Sequence, residues 1–344
     1  MASLYADARF NGNVVILDHG KVVLERSYGF ANLQERRLLD LDTGFQLASM
    51  SKQFTAAGIL LLQEDGKLKL DQPVSELLPG YPWKTVTIRH LLTHTSGMPA
   101  FEENVENGLD KTQVNGNREI FALLRSGRYR AKADPGTAWE YSDMGYDMLA
   151  SVIEQLTHQS YGEFMEQRIF APLGMKHTTS ASTDVDQAPV TNLAFGYTRV
   201  GNHFEPSNHV KGNESAFYTA NIVGDGSIYS TARDLQRWDE ALTKGTLLRP
   251  ESLREAWTAA TLADGHPAAT SWGGTHYGFG WEIVEASPYG RIVRHGGGQP
   301  GYRSSMQLFL DRGVTFIILC NLDTDEFWTY SAALAEAYFG PASK

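Results

Sequence analysis

Ser49 and Lys52 stand three positions apart in Leu47-Ala48-Ser49-Met50-Ser51-Lys52, directly ahead of the apolar run from Phe54 to Leu62. Three residues is nearly one helical turn, so the hydroxyl and the amine would share a helix face. A serine hydroxyl is a poor nucleophile until a base takes its proton, and a desolvated lysine can be that base or assist one. A helix N-terminus adds unpaired backbone N–H groups and partial positive charge where an oxyanion would form. Two further segments carry compatible chemistry. Tyr141-Ser142-Asp143 follows a loop marked by Pro135-Gly136; a phenol beside an ammonium group has its anion stabilised and can act as general base. Taken alone, this tyrosine is equally an aromatic packed at a helix start. His295-Gly296-Gly297-Gly298 closes a β-rich run. Glycine there opens backbone N–H groups and lets a substrate approach, offering a second oxyanion donor and a cationic side chain; the alternative is a hairpin turn with an exposed histidine.

The elements that must position these residues can be read from periodicity. Asn13 to Leu17 and Lys21 to Tyr28 are β-rich runs about His19-Gly20 and predict a hairpin. Leu47 to Glu64 predicts a buried helix stopped by Gly66. Ile120 to Ser126, Met144 to Leu156, Tyr161 to Phe170 and Thr231 to Thr243 carry helical spacing. Tyr277 to Glu285, Arg291 to His295, Tyr302 to Leu310 and Val314 to Asn321 predict consecutive strands, with Gly296-Gly297-Gly298 among the turns between them. Thr324 to Phe339 predicts a terminal helix. Strands at both ends with helices between predict an α/β plus α fold: one antiparallel sheet from both termini, flanked by helices, with an inserted, mostly helical lobe. The expected domains are 1–75 with 220–344 as a discontinuous sheet domain, and 76–219 as a helical domain.

Composition narrows the function. A hydrophobic fraction of 42% supports a sizeable core, and a formal charge of −10 argues against a nucleic-acid or anionic-membrane surface. No apolar run approaches the length of a membrane span. The single cysteine, Cys320, excludes an intramolecular disulfide and reads as a buried strand residue. Met1 to Phe10 lacks the basic start and apolar stretch of a signal peptide. The expected location is cytoplasmic, or periplasmic or secreted if a signal peptide has been removed. His90 and His94 are spaced like a zinc pair on a helix, but no glutamate completes the motif and a structural role is expected. Gly-x-Ser-x-Gly is absent, which leaves a nucleophile elbow without support. The aromatics Tyr81, Trp83, Phe101, Trp139, Phe217, Tyr218, Trp272 and Tyr277 are candidates for an acyl pocket, with core packing as the default.

The order Ser-x-x-Lys, Tyr-x-x, His-Gly-Gly resembles the penicillin-recognising serine hydrolases: class C β-lactamases, DD-peptidases and related esterases. His90-Leu91-Leu92-Thr93-His94-Thr95-Ser96-Gly97-Met98, Phe170-Ala171-Pro172-Leu173-Gly174-Met175 and Gly224-Asp225-Gly226-Ser227-Ile228-Tyr229-Ser230 are similar to segments of the same family. The resemblance implies Ser49 as the nucleophile of an acyl-enzyme, Lys52 and Tyr141 sharing proton transfer, and the backbone N–H groups of Ser49 and Gly298 as the oxyanion hole. Asp143, His295, Gly296 and Gly297 would face the substrate. It implies no metal and no organic cofactor.

Two departures from the family pattern shape the expectation. Asp143 stands where asparagine is usual; it has no N–H donors and favours the ammonium form of Lys52, placing more of the proton transfer on Tyr141. A competing alignment matches Ser142-Asp143-Met144 to the class A box Ser-Asp-Asn and makes Ser142 the proton carrier. His295-Gly296-Gly297 stands where β-lactamases commonly show Lys-Thr-Gly, which favours an esterase, amidase or peptidase. The expected activity is cleavage of a small ester, amide or short peptide, including D-residues. A β-lactamase or DD-carboxypeptidase is the alternative enzyme, and a penicillin-binding sensor without turnover the alternative outside enzymes. Substrate preference is expected to reside in loops around 99–118, 203–220 and 262–277.

Overall fold

In the computed structural model, which describes residues 1–99, 106–180 and 192–341, the two ends of the chain build one sheet. Strands β1 (Gly12–Asp18) and β2 (Lys21–Tyr28) form the expected hairpin, turning through His19 and Gly20 at positive φ. The last quarter supplies β3 (His276–Tyr277), β4 (Glu282–Val284), β5 (Ile292–Gln299), β6 (Tyr302–Phe309) and β7 (Val314–Cys320). The seven strands run in the order β3-β4-β5-β6-β7-β1-β2, antiparallel throughout. β1 closes against β7, with Val14 opposite Ile318 and Asp18 opposite Val314.

Alternation along these strands divides the core. Val14, Ile318 and Cys320 pack against Phe327 and Tyr330, and Ile16 and Phe316 against Ala335, all three of these partners lying on the C-terminal helix (Phe327–Phe339). Val15, Leu17, Ile317 and Leu319 point the other way, into the main core. Coverage on both faces explains why β7 is buried from end to end and apolar at every position but Thr315.

On that main face lie α1 (Lys52–Glu64), α2 (Asp143–Thr157) and α3 (Ala232–Lys244); the C-terminal helix is α4. α1 is buried at every position from Lys52 to Leu62, as expected of a helix apolar all round. Phe54 lies 4.4 Å, centroid to centroid, from Trp238 of α3, whose indole N–H donates to Gln53 Oε1 at 3.0 Å. Truncating a buried phenylalanine of this kind to alanine costs about 3–5 kcal/mol.

Three sequence expectations need correction. The helix predicted from Leu47 does not start there: Ala48 is held at φ 49°, so Ala48–Ser51 forms a separate tight turn before α1 begins at Lys52. Gly296-Gly297-Gly298 is not a turn but the second half of β5, paired through Gln299 opposite Tyr302; the chain reverses at Pro300-Gly301. The expected strand Tyr277 to Glu285 is interrupted at Gly278–Gly280, with Gly280 at φ 76°, giving β3 and β4. Among the described residues no helix is long and apolar enough to cross a membrane.

Candidate active site

The turn carrying Ser49 is clamped from several sides. Leu47 N–H donates to Ile228 O at 2.8 Å, Ile228 N–H donates to Ser51 Oγ at 3.1 Å, and Ser304 Oγ donates to Leu47 O at 2.6 Å. β5 presses directly on the turn: a Cβ at Gly297 would stand 2.0 Å from Leu47 O and 3.0 Å from Met50 N. Only glycine permits that approach, and both Gly298 and Ser49 line one pocket. Ala48, buried in the left-handed region, is backbone strain placed next to the reactive hydroxyl.

Lys52, fully buried at the start of α1, reaches Ser49 Oγ at 3.1 Å, Asp143 Oδ1 at 2.5 Å and the Asp225 carbonyl at 3.0 Å. Burial alone would lower its pKa, but Asp143, Tyr141 and Asp225 outweigh it and hold the amine well above the ordinary lysine value. Lys52 is therefore an ammonium group in the resting site. The Lys52 ammonium lies 4.9 Å from the Tyr141 ring centroid, and the phenol is near enough to Lys52 and Ser49 for both to favour its anion. Burial pushes this phenol above the usual tyrosine range; Lys52 pulls it down and Asp143 pushes it up. Behind Lys52, burial raises the carboxyls of both Asp147 and Asp225, and the charge of Asp225 raises Asp147 further.

Ser142 is occupied otherwise. It caps α2, accepting from Gly145 N–H at 3.3 Å, and is 4% exposed. Asp143 opens α2, where the helix dipole favours its charge. His90 Nδ1 accepts from Thr87 N–H at 3.2 Å, and His94 Nδ1 from Ser142 N–H at 3.1 Å, so both histidines serve the local backbone.

His295 is not the free cation that the sequence suggested. Its Nδ1 lies 2.6 Å from Gly296 O and its Nε2 2.7 Å from Tyr277 Oη. This pairing makes Nδ1 the proton carrier, with Nε2 accepting from the phenol. Burial lowers its pKa to about 4, with the Lys52 charge acting in the same direction, so the imidazole is neutral at neutral pH.

The pocket, of about 490 Å³, exposes Ser49, Tyr141, His295, Gly296 and Gly298. Sequence reasoning missed several of its walls. Ser305 and Gln307 line it from β6, where polar residues alternate with Met306 and Leu308; that period of two was a readable signal. Glu282 also lines it, paired to Arg294 through two bonds of 2.7 and 3.0 Å. Phe327 and Trp328 arrive from the start of α4 with no signal in the chain around 300. Of the three expected specificity loops, 262–277 brings Trp272 to the wall. Phe101 lies outside the described residues.

A nucleophile turn, a buried lysine and a tyrosine converging beneath an antiparallel sheet define a serine hydrolase of the β-lactamase/transpeptidase-like fold. A family model described as Beta-lactamase matches residues 4–337, and the chain belongs to that family. It is 34% identical over 337 residues to a penicillin-binding protein of Bacillus subtilis (strain 168), covering 96% of this chain and 71% of the relative. A penicillin-binding protein structure from Bacillus halodurans superposes with TM-score 0.82 at 25% identity, covering 97% of this chain and 98% of the other. A D-amino acid amidase from Ochrobactrum anthropi SV3, solved with L-phenylalanine, gives TM-score 0.74 at 26% identity, covering 94% of this chain and 89% of the other.

Proposed function

We propose that Ser49 attacks the carbonyl of a small ester or amide that carries no carboxylate, amides of D-amino acids included, to form an acyl-enzyme that water then hydrolyses. The observation that carries this reading is the convergence of Ser49, Lys52 and Tyr141: an alcohol 3.1 Å from a buried ammonium, with a phenol ring 4.9 Å from that ammonium, on the wall of an open pocket. As the Ser49 Oγ–C bond forms, the hydroxyl proton passes into the Tyr141–Lys52 pair while a proton of Lys52 moves along its 2.5 Å contact to the Asp143 carboxylate. The net transfer is one proton from Ser49 to Asp143, returned to the leaving oxygen or nitrogen when the substrate C–O or C–N bond breaks. The developing oxyanion is held by the backbone N–H groups of Ser49 and Gly298.

Charge in the pocket supports a substrate without a carboxylate over a β-lactam or a peptide carboxylate. Among the described residues that line it, Arg294 is paired to Glu282 and His295 is neutral, so neither offers a free cation to an anionic group. The amidase likeness supports including D-amino acid amides. The test is hydrolysis of p-nitrophenyl acetate and butyrate, a D-phenylalanine p-nitroanilide and a chromogenic cephalosporin, with Ser49→Ala as control. Turnover of the substrates without a carboxylate that Ser49→Ala abolishes is expected. Cephalosporin as the best substrate, or a stable adduct without turnover of any, refutes the reading.

A further inference from the structure

Tyr141 sits on an extended segment before α2, and what holds that segment is one residue 47 positions earlier in the chain. Glu140 N–H donates to the His94 carbonyl at 2.9 Å, and Ser142 N–H donates to His94 Nδ1 at 3.1 Å. The residues on either side of Tyr141 are thus tied through their backbone N–H groups to the same residue. The His94 and Tyr141 rings lie 4.4 Å apart, so the clasp also sets the plane of the phenol.

His94 is costly as a purely structural residue. It is 1% exposed, its φ of 59° lies in the left-handed region, and its Nε2 is buried without a partner. Because Nδ1 accepts from Ser142, the proton is on Nε2; the imidazole packs beside the rings of Tyr277 and Tyr146, at centroid distances of 4.5 and 5.2 Å. Backbone strain and an unmet buried donor each destabilise by about 1–3 kcal/mol.

We infer that His94 is a positioning residue for proton transfer: its carbonyl and Nδ1 clamp the backbone on both sides of Tyr141 and hold the phenol against Ser49 and Lys52. The inference rests on the reading of Tyr141 given above. It assigns a task that neither the serine, lysine and tyrosine themselves nor the spacing of His90 and His94 indicated.

The experiment compares His94→Ala with His94→Asn, each alone and in a Tyr141→Phe background, using p-nitrophenyl butyrate and circular dichroism to establish folding. Asparagine Oδ1 stands where histidine Nδ1 does, counted in bonds from Cβ, and asparagine tolerates positive φ; alanine offers no acceptor. The expected result for His94→Ala is a kcat about 100-fold lower with KM little changed, the effect of a catalytic group misplaced by about 1 Å. His94→Asn regains most of the loss. In the Tyr141→Phe background, His94→Ala lowers kcat no further, because the group it positions is gone. A folded His94→Ala enzyme with wild-type kcat, or equal losses in both backgrounds, overturns the inference. Should His94→Ala fail to fold, a folded His94→Asn enzyme losing about 100-fold overturns it, and near-normal kcat supports it. Wild-type kcat in Tyr141→Phe itself refutes the tyrosine reading, and the clamp falls with it.

Discussion

Tyr141 and its neighbour Ser142 make opposite predictions that one pair of variants separates. Tyr141→Phe removes a single oxygen. The ring remains, with its neighbours His94 at 4.4 Å and Trp272 at 5.4 Å, so packing survives. What goes is the hydroxyl that faces Ser49 and Lys52. Losing one polar partner there costs about 1 kcal/mol of stability. Loss of a general acid–base group costs about 10²- to 10⁴-fold in rate, or about 3–5 kcal/mol of transition-state stabilisation. Ser142→Ala removes a helix cap whose bond is long, at 3.3 Å, and whose oxygen is turned into the protein. Its cost is about 1 kcal/mol of stability, a fall in Tm of about 2–4 °C, with kcat nearly unchanged. The assay is initial-rate hydrolysis of p-nitrophenyl butyrate beside thermal unfolding, with a rapid-mixing burst to separate acylation from deacylation. A Ser142→Ala enzyme that folds normally yet loses 10²-fold or more, with Tyr141→Phe near wild type, refutes the assignment of the proton carrier.

Two glycines one position apart should behave differently. Gly297→Ala drives a methyl group to 2.0 Å from the Leu47 carbonyl, a backbone atom that cannot step aside; it should lower stability by about 3 kcal/mol in urea unfolding and abolish activity by parting Ser49 from Gly298. Gly296→Ala meets only the rim of the half-exposed Trp328 indole, at 2.5 Å; the ring swings away, changing KM and tryptophan fluorescence while the urea midpoint stays, and equal behaviour of the two variants would contradict the packing described. Asp239 concerns pH instead. Buried on α3 and accepting from Thr315 Oγ1 at 2.6 Å, it is pushed by burial from 3.8 up to about 6. A carboxyl raised in the fold favours the folded state below its ordinary pKa, and that benefit disappears as pH rises through about 6. Asp239→Asn should therefore match wild type near pH 4 and exceed it at pH 8 by a few kcal/mol at most; a variant less stable at pH 8 would refute the argument.

The chain by itself determined the chemistry on offer and most of the frame. Ser49-x-x-Lys52 before an apolar run, Tyr141 after Pro135-Gly136, and the β-rich runs at both ends were legible because spacing and local periodicity are local properties. The glycines of 296–298 were misread as a turn, because nothing near them in sequence shows that Leu47 and Trp328 occupy the space where their side chains would be. Tertiary structure alone decided which groups carry charge. Lys52 is kept as an ammonium by Asp143, 91 positions away, and His295 is kept neutral by burial and the Lys52 charge. It also decided what lines the pocket, where Trp328 meets strand β5 from a helix that follows the whole sheet in sequence. Ionisation and shape depend on desolvation and on partners brought from distant positions, and only the folded chain contains those.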